Sequence, residues 1–158
     1  MNKKSVLVDL DVITVKLWDN QGKNKKIAEE FVKKAEEKIF LIITPFSLLE
    51  TVSKWKYDAL KDNLEEFYIK NSYKVLSNND VDQRIELLNI NDIKILKILE
   101  KTEVKGEDTL LVLITSIFKI DYLVIFNRKH LRNKEKEINE ILAEVGLKTI
   151  KIIGPEMI

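Results

Sequence analysis

The chain has 158 residues, with 27 basic and 26 acidic side chains, no cysteine and one histidine. The lack of cysteine excludes disulfides and thiolate metal sites, and the single histidine, His130, excludes a zinc site built from several histidines. The near-zero net charge does not by itself indicate a nucleic-acid-binding protein. Because the chain has no cysteine and only one histidine, any metal must be held mainly by oxygen ligands, which favours Mg²⁺ or Mn²⁺.

Length and apolar patterning predict one cytoplasmic domain. A chain of this length is typical of a single domain, and we expect one over residues 1–158. No signal peptide precedes the first apolar run, and no apolar stretch is long enough to span a membrane. We therefore expect no membrane association.

The first half of the chain alternates short apolar runs with amphipathic stretches. Ser5 to Asp9 has the continuous apolar run of a buried strand. Lys25 to Ile39 repeats apolar residues at four-residue spacing among lysines and glutamates, which predicts a helix. Phe40 to Ile43 predicts a second buried strand. A helix over Lys54 to Lys70 and a strand over Tyr73 to Leu76 are expected after it.

The second strand leads directly into a predicted helix. Thr44 is a suitable cap for it, and Pro45 fits the first helical position. Phe46, Leu49 and Val52 then form the face that we expect to point inward.

The second half of the chain predicts mainly helices and two further strands. Asn79-Asp80 is expected to cap a helical stretch that reaches about Lys101, with a break near Asn89 to Asn91. In the very apolar run from Leu110 to Phe118, periodicity alone does not decide between helix and strand. The last predicted elements are a strand over Tyr122 to Phe126, a helix over Lys134 to Val145 closed by Gly146, and a strand over Thr149 to Ile153. Strands alternating with helices predict an α/β fold with a parallel sheet covered on both faces.

Two acidic residues follow the first predicted strand. Asp9 ends the strand, and Asp11 comes two positions later. If the strand extends that far, both side chains point to the same side of the sheet. Ligands of open α/β sheets bind beyond the carboxyl ends of the strands, so an acid here is well placed for function. A helix cap or a turn aspartate is the structural alternative.

Other polar residues occupy comparable junctions. Glu50 lies one turn into the helix after the second strand, Asp108 directly precedes a very apolar run, and Asn127 follows the next strand. Singly, each suits an ordinary role at a helix start or in a turn. Together they bring acids and an amide to one rim of a parallel sheet, where carboxylates repel one another unless a cation lies between them. The pattern therefore predicts a Mg²⁺ or Mn²⁺ site formed by Asp9, Glu50 and Asp108.

Five segments of the chain carry a family resemblance. They are Val6-Leu7-Val8-Asp9, Thr44 to Glu50, Gly106 to Leu110, the stretch Asp121 to Asn133 with its Phe126-Asn127-Arg128-Lys129-His130, and Ile153 to Glu156. The first three resemble the segments of the PIN-domain family that contain its first aspartate, its glutamate and the aspartate opening its central helix. The last two are similar to a family variant whose strand ends in Trp-Asn-x-Lys-His.

The resemblance implies a three-layer α/β/α sandwich with a central parallel sheet, in which Leu110 to Phe118 is a helix. It also implies a Mg²⁺- or Mn²⁺-dependent endoribonuclease that hydrolyses RNA phosphodiester bonds. The catalytic residues carried over to this chain are Asp9, Glu50, Asp108 and Asn127. Because many family members are toxins neutralised by an antitoxin protein, the expected partners are RNA, an antitoxin and a second copy of the chain.

Two departures from the family pattern bear on the metal. Leu10 and Asp11 stand where many members have Thr or Ser followed by Asn, and Asn127 stands where many have a fourth aspartate. An amide oxygen holds a cation less strongly than a carboxylate does. We therefore expect one strong metal position, with Asp11 as an added ligand or a group that orients water, and a second position that is weak or absent. A weakly active or inactive RNA-binding or interaction protein is the alternative.

Basic and aromatic residues offer contacts for RNA. A local basic cluster follows the fourth predicted strand and either binds phosphates or forms a solvated helix start. It consists of Arg128, Lys129, Arg132, Lys134 and Lys136. His130 either touches RNA or caps and packs, and Trp18 and Trp55 either stack on bases or pack in the core.

A second enzyme class shares part of this pattern. Asp9-Leu10-Asp11 also looks like the opening motif of haloacid-dehalogenase-type phosphatases, in which the first aspartate is a nucleophile. Those enzymes need a strand that runs straight into their second acidic motif. Here the charged stretch Lys97 to Lys105 precedes Asp108, which favours the nuclease.

Overall fold

A parallel sheet forms the centre of the computed structural model, which describes residues 2–18, 22–104, 106–126 and 131–158. Within these residues the strands are β1 (Ser5–Val8), β2 (Leu41–Pro45), β3 (Ser72–Leu76), β4 (Tyr122–Val124) and β5 (Ile152–Ile153). Their order across the sheet is β3-β2-β1-β4-β5, and every neighbouring pair is parallel. All carboxyl ends therefore meet at one edge of the sheet.

Strand β1 occupies the middle of the sheet. Val6 is in register with Ile42 of β2 and with Tyr122 of β4. Val6 and Leu7 are completely buried. A strand covered on both faces needs apolar side chains at successive positions, which explains the continuous apolar run that predicted it.

Helices cover both faces of the sheet and make the fold a three-layer α/β/α sandwich. The described helices are α1 (Leu10–Trp18), α2 (Lys23–Glu36), α3 (Phe46–Ser53), α4 (Asp58–Asn71), α5 (Asn78–Leu87), α6 (Asp92–Glu100), α7 (Gly106–Ile117) and α8 (Glu135–Glu144). Contacts link α1, α2, α3 and α4 into one group and α5, α6, α7 and α8 into the other. None of the helices in the described part of the chain combines the length and apolar content needed to cross a bilayer.

Three predicted features of the helices are confirmed. In the apolar run after Asp108, Leu110 to Ile117 are helical and belong to α7, residues 111–117 are all buried, and Phe118 follows the end of the helix. The break in the long helical stretch separates α5 from α6, with Asn89 at a positive φ of 53°. Gly146 closes α8 at a φ of 76°, and its N–H donates to the Ala143 carbonyl at 3.0 Å.

The prediction for the start of α3 was wrong in two respects. Thr44 does not cap the helix, because β2 extends to Pro45 and the Thr44 hydroxyl lies 2.6 Å from that of Ser72. Pro45 itself stands at the cap position. Phe46 points away from the core and is 44% exposed, whereas Leu48 and Val52 are buried at the four-residue spacing of one helix face.

Three other predicted element boundaries differ from those in the structure. The cap of α5 is Ser77 rather than Asn79-Asp80: its hydroxyl accepts from the Asp80 N–H at 3.0 Å, and the Asp80 carboxylate accepts from the Ser77 N–H at 2.9 Å. The last strand begins only at Ile152, since the Asn139 amide binds both backbone groups of Ile150 at 2.8 and 2.9 Å. Residues 54–57 form a turn between α3 and α4 instead of a helix.

Candidate functional site

Asp9 lies at the carboxyl end of the central strand, as its sequence position predicted. Its N–H donates to the Val124 carbonyl of β4 at 3.0 Å, and its carboxylate accepts from the Leu10 N–H at 2.8 Å. Helix α1 starts at Leu10, so the strand ends before Asp11. The prediction that Asp9 and Asp11 point to the same side of one strand was therefore wrong. Asp11 instead approaches the sheet edge from the first turn of α1.

The surroundings of Asp9 disfavour its negative charge. Burial of the carboxyl, followed by the nearby carboxylates of Asp11 and Asp108, raises the pKa of Asp9 to about 8. Glu107 adds to this effect, and the hydrogen bond from the Leu10 N–H opposes it. Asp9, Asp11 and Asp108 are therefore brought together, although they come from a strand end and from two different helices.

Asp9 and Asp108 line a small cleft, which we call the acidic cleft. Helix α1 contributes Leu10 to it, and α3 and α7 supply the other walls. Its lining residues are Asp9, Leu10, Ser47, Leu48, Thr51, Glu107, Asp108, Leu110 and Leu111. The Thr51 hydroxyl lies 3.4 Å from a Glu107 carboxylate oxygen, so α3 and α7 meet across the mouth of the cleft.

Asp11 has a structural partner that its sequence position did not reveal. Both of its carboxylate oxygens accept from the Phe126 N–H, at 3.1 and 3.2 Å. The N–H one residue earlier, that of Ile125, still donates to the Ile153 carbonyl of β5. Asp11 therefore accepts from the first backbone N–H after β4 that does not pair with β5. This hydrogen bond connects α1 to the end of β4.

Glu50 is directed to a different neighbour from the other predicted ligands. Its carboxylate accepts from the Asn78 side-chain amide at 2.7 Å, which connects α3 to the start of α5. Among the described residues, no group of three acidic or histidine side chains stands in position to hold a metal ion. Asp9 and Asp108 thus share the cleft, whereas Glu50 in this conformation is bound to Asn78.

The predicted RNA-binding residues are only partly described. Arg128, Lys129 and His130 lie outside the described residues, as do the side chain of Trp18 and the predicted catalytic residue Asn127. Arg132 forms an ion pair with Glu156 at 3.3 Å. In the same basic cluster, Lys134 lies 4.0 Å from carboxylate oxygens of both Glu103 and Glu137, and Lys136 is exposed.

Sequence reasoning missed three residues around the site. Glu107 was passed over in favour of its neighbour Asp108, and Asn78 was not selected although it follows β3 at the same sheet edge. The same rule of polar residues at strand ends would have found Asn78. Tyr68 gave no such signal: it is fully buried in α4, and its hydroxyl donates to the Val8 carbonyl at 2.8 Å, directly before Asp9.

Tyr68 also responds to the acidic residues electrostatically. Burial first, and then the carboxylates of Asp9 and Asp11, raise the pKa of its phenol well above the ordinary value. The phenol therefore stays protonated and serves as a fixed hydrogen-bond donor to the Val8 carbonyl, directly before Asp9.

No family model matches the chain, and comparison with curated proteins and with solved structures found no significant match.

Proposed function

We propose that the protein is a PIN-like, Mg²⁺- or Mn²⁺-dependent ribonuclease whose centre is the acidic cleft. The observation that carries this proposal is the grouping of Asp9, Asp11 and Asp108 at the carboxyl edge of a parallel sheet. Ligand sites of open α/β sheets lie at this edge. Burial first, and then the carboxylates of Asp11 and Asp108, raise the pKa of Asp9, and a bound cation would relieve the repulsion among the three carboxylates.

The chemistry of the available donors fits a hard divalent cation. Asp9, Glu107 and Asp108 line the acidic cleft together with Ser47 and Thr51. The carboxylate and hydroxyl oxygens of such side chains suit Mg²⁺ and Mn²⁺. In this conformation no three acidic side chains of the described residues stand close enough together to hold a metal ion, so a cation would have to draw them together. When bound, such a cation stabilises negative charge on a phosphate and activates water for in-line attack on a phosphodiester.

The chain's own residues have distinct roles in this proposal. Asp9 and Asp108 would hold the cation, which requires the carboxyl of Asp9 to be ionised. The family resemblance adds Glu50 to these ligands, and its carboxylate would have to leave the Asn78 amide to reach them. Asp11 positions the end of β4 through the Phe126 N–H. Tyr68 holds the end of β1 through the Val8 carbonyl and so orients Asp9.

The test is cleavage of RNA by the purified full-length chain with Mg²⁺, with Mn²⁺ and with EDTA. We expect cleavage only with metal, and a loss of at least about a hundredfold in Asp9→Asn and in Asp108→Asn because each removes a charged ligand. Asp62→Asn, an exposed aspartate on α4, is the matched control and should cleave like the parent.

Three results would contradict the proposal. If Asp9→Asn and Asp108→Asn cleave as fast as the parent, the activity belongs to another site or to a contaminant. If the parent binds RNA but does not cleave it with either metal, the protein is an RNA-binding module rather than a nuclease. A phosphoaspartate trapped on Asp9 would instead identify a phosphatase.

A further inference from the structure

An open, mainly apolar hollow lies beside the turn between α3 and α4. Two aromatic residues of this turn, Trp55 and Tyr57, line it together with Thr14 of α1 and Leu60 of α4. Tyr57 is 66% exposed, and Trp55 is half-buried and packs partly against the core. We call Trp55 and Tyr57 the aromatic shelf.

Lysines flank both aromatic residues. Lys54 and Lys56 line the same hollow and are exposed, so the turn alternates basic and aromatic side chains over residues 54–57. Aromatic faces beside basic groups are the combination with which proteins bind single-stranded nucleic acids, since the rings stack on bases and the cations follow the backbone.

Two chain segments connect the acidic cleft to the hollow of the aromatic shelf. Leu10 lines the cleft and Thr14 lines the hollow, and the Thr14 hydroxyl donates to the Leu10 carbonyl at 2.7 Å. Thr51 lines the cleft and Trp55 lines the hollow four residues later. Leu10 and Thr14 are one turn apart in α1, a rise of about 6 Å, and Trp55 follows the end of α3 at Ser53, so the two sites are close neighbours.

We propose that the aromatic shelf is a base-stacking subsite that binds single-stranded RNA and leads its backbone into the acidic cleft. The part of this inference that leads the RNA backbone into the acidic cleft rests on the proposed function. Phosphates are repelled by the carboxylates of the cleft when no cation is present, and Lys54 and Lys56 supply the opposite charge beside it. Single-stranded RNA is the expected ligand because a duplex does not present its base faces for stacking.

The first experiment measures binding separately from cleavage. A fluorescent single-stranded RNA of eight nucleotides is titrated with the full-length chain in EDTA, and its anisotropy is recorded. We expect Tyr57→Ala to weaken binding about tenfold, and Trp55→Ala combined with Tyr57→Ala to weaken it further. Tyr73→Ala is the matched control, because Tyr73 is a similarly exposed aromatic residue (69%) on β3.

Ligand variants test the stacking itself. An abasic oligonucleotide with the same number of phosphates and a fully paired duplex should each bind the parent less tightly than the single strand does. Trp55→Phe should retain most of the affinity that Trp55→Ala loses, since a ring remains available. This comparison also guards against a general folding defect in Trp55→Ala, because Trp55 is partly buried.

The lysines give an independent readout. Removing one phosphate contact from a single-stranded complex reduces the slope of log K against log salt by about 0.7. We expect this reduction in Lys54→Ala and again in Lys56→Ala, with affinity lowered for all base sequences alike.

The outcomes separate this inference from the proposed function. Unchanged RNA affinity in Tyr57→Ala and in the double variant overturns the aromatic shelf, even if metal-dependent cleavage is present. Weakened affinity with no cleavage by the parent supports the shelf and defeats only the nuclease. If the double variant changes self-association but not RNA affinity, the hollow is a contact between copies of the chain and the inference is overturned.

Discussion

At the residue scale, Asp9 is a carboxyl of the site whose pKa is strongly changed by its surroundings. An aspartate that follows a buried strand is easily taken for a helix-start residue. Burial and the neighbouring Asp11 and Asp108 give this one an unusual pKa of about 8. The same crowding that makes the carboxylate costly to ionise makes it a suitable ligand once a cation is present.

The raised pKa predicts how stability depends on pH. The unfolded Asp9 ionises near pH 3.8 and the folded one near pH 8, so between these values the folded state holds a proton that the unfolded state has released. The free energy of unfolding should therefore fall as the pH rises through this window. Asp9→Asn cannot ionise and should be more stable than the parent above pH 8, by about 2 kcal/mol or more.

Urea unfolding in EDTA at pH 5 and pH 9 measures this effect. Asp62→Asn, which alters an exposed aspartate, should follow the parent at both values. An Asp9→Asn variant that loses as much stability as the parent between pH 5 and pH 9 would show that Asp9 is not the group responsible.

Tyr68 binds the end of β1 next to Asp9, and its hydroxyl can be removed without changing the packing of the ring. Tyr68→Phe deletes the hydrogen bond to the Val8 carbonyl inside a fully buried environment. We expect a loss of about 1 kcal/mol in the free energy of unfolding, because a buried acceptor loses its donor. Equilibrium urea unfolding measures it, with exposed Tyr73→Phe as a control that should be neutral. Equal stability of the two variants would contradict the role given to Tyr68.

At the element scale, helix starts determine where the polar groups of the sheet edge stand. Helix α1 begins directly after Asp9 and brings Asp11 to the Phe126 N–H of β4. Helix α5 begins two residues after the end of β3, with only Ser77 between them, and brings Asn78 to Glu50. These short connections are why the edge is crowded with carboxylates and amides.

The capping box of α5 provides a test at this scale. Ser77→Ala removes the hydroxyl that accepts from the Asp80 N–H, and the loss of such a cap costs about 1 kcal/mol. We expect a decrease of that size in the free energy of unfolding by urea. Asn79→Ala changes the neighbouring exposed residue and should have little effect. If Asn79→Ala destabilises more than Ser77→Ala, the cap was assigned to the wrong residue.

At the scale of the whole molecule, the proposed cation joins parts of the chain that are far apart in sequence. Because Asp9 follows β1 and Asp108 belongs to α7, a bound cation stabilises the folded state without binding the unfolded chain as tightly. Mn²⁺ at about a hundred times its dissociation constant adds about 2.7 kcal/mol, which raises the Tm by about 5 °C or more for a domain of this size.

Thermal unfolding monitored by circular dichroism, with and without Mn²⁺, measures this shift. The shift should be larger at pH 8.5 than at pH 6.5, because the Asp9 proton competes with the cation. Asp62→Asn should respond like the parent, and Asp9→Asn combined with Asp108→Asn should not respond. An equal Tm increase in that double variant would mean that Mn²⁺ binds elsewhere.

Much of the fold was accessible from local patterns in the sequence. The apolar runs of β1 and β2 and the four-residue spacing in α2 are properties of neighbouring residues, so they could be interpreted without knowing the tertiary structure. The same holds for the turn at Gly146, where a positive φ favours glycine. The position of Asp9 at a strand end was predictable for the same reason.

The partners of the site residues were decided only by the tertiary structure. Glu50 meets Asn78 at a separation of 28 residues, Tyr68 meets Val8 at 60, and Asp11 meets Phe126 at 115. Such hydrogen bonds depend on which strands are neighbours and on where each helix begins, and local hydrophobic periodicity specifies neither. The sequence therefore predicted Asp9 and Asp108 at the sheet edge but missed Glu107. Only the packed sheet, with β1 between β2 and β4, decided that Asp9 meets Asp11 and Asp108 while Glu50 turns to Asn78.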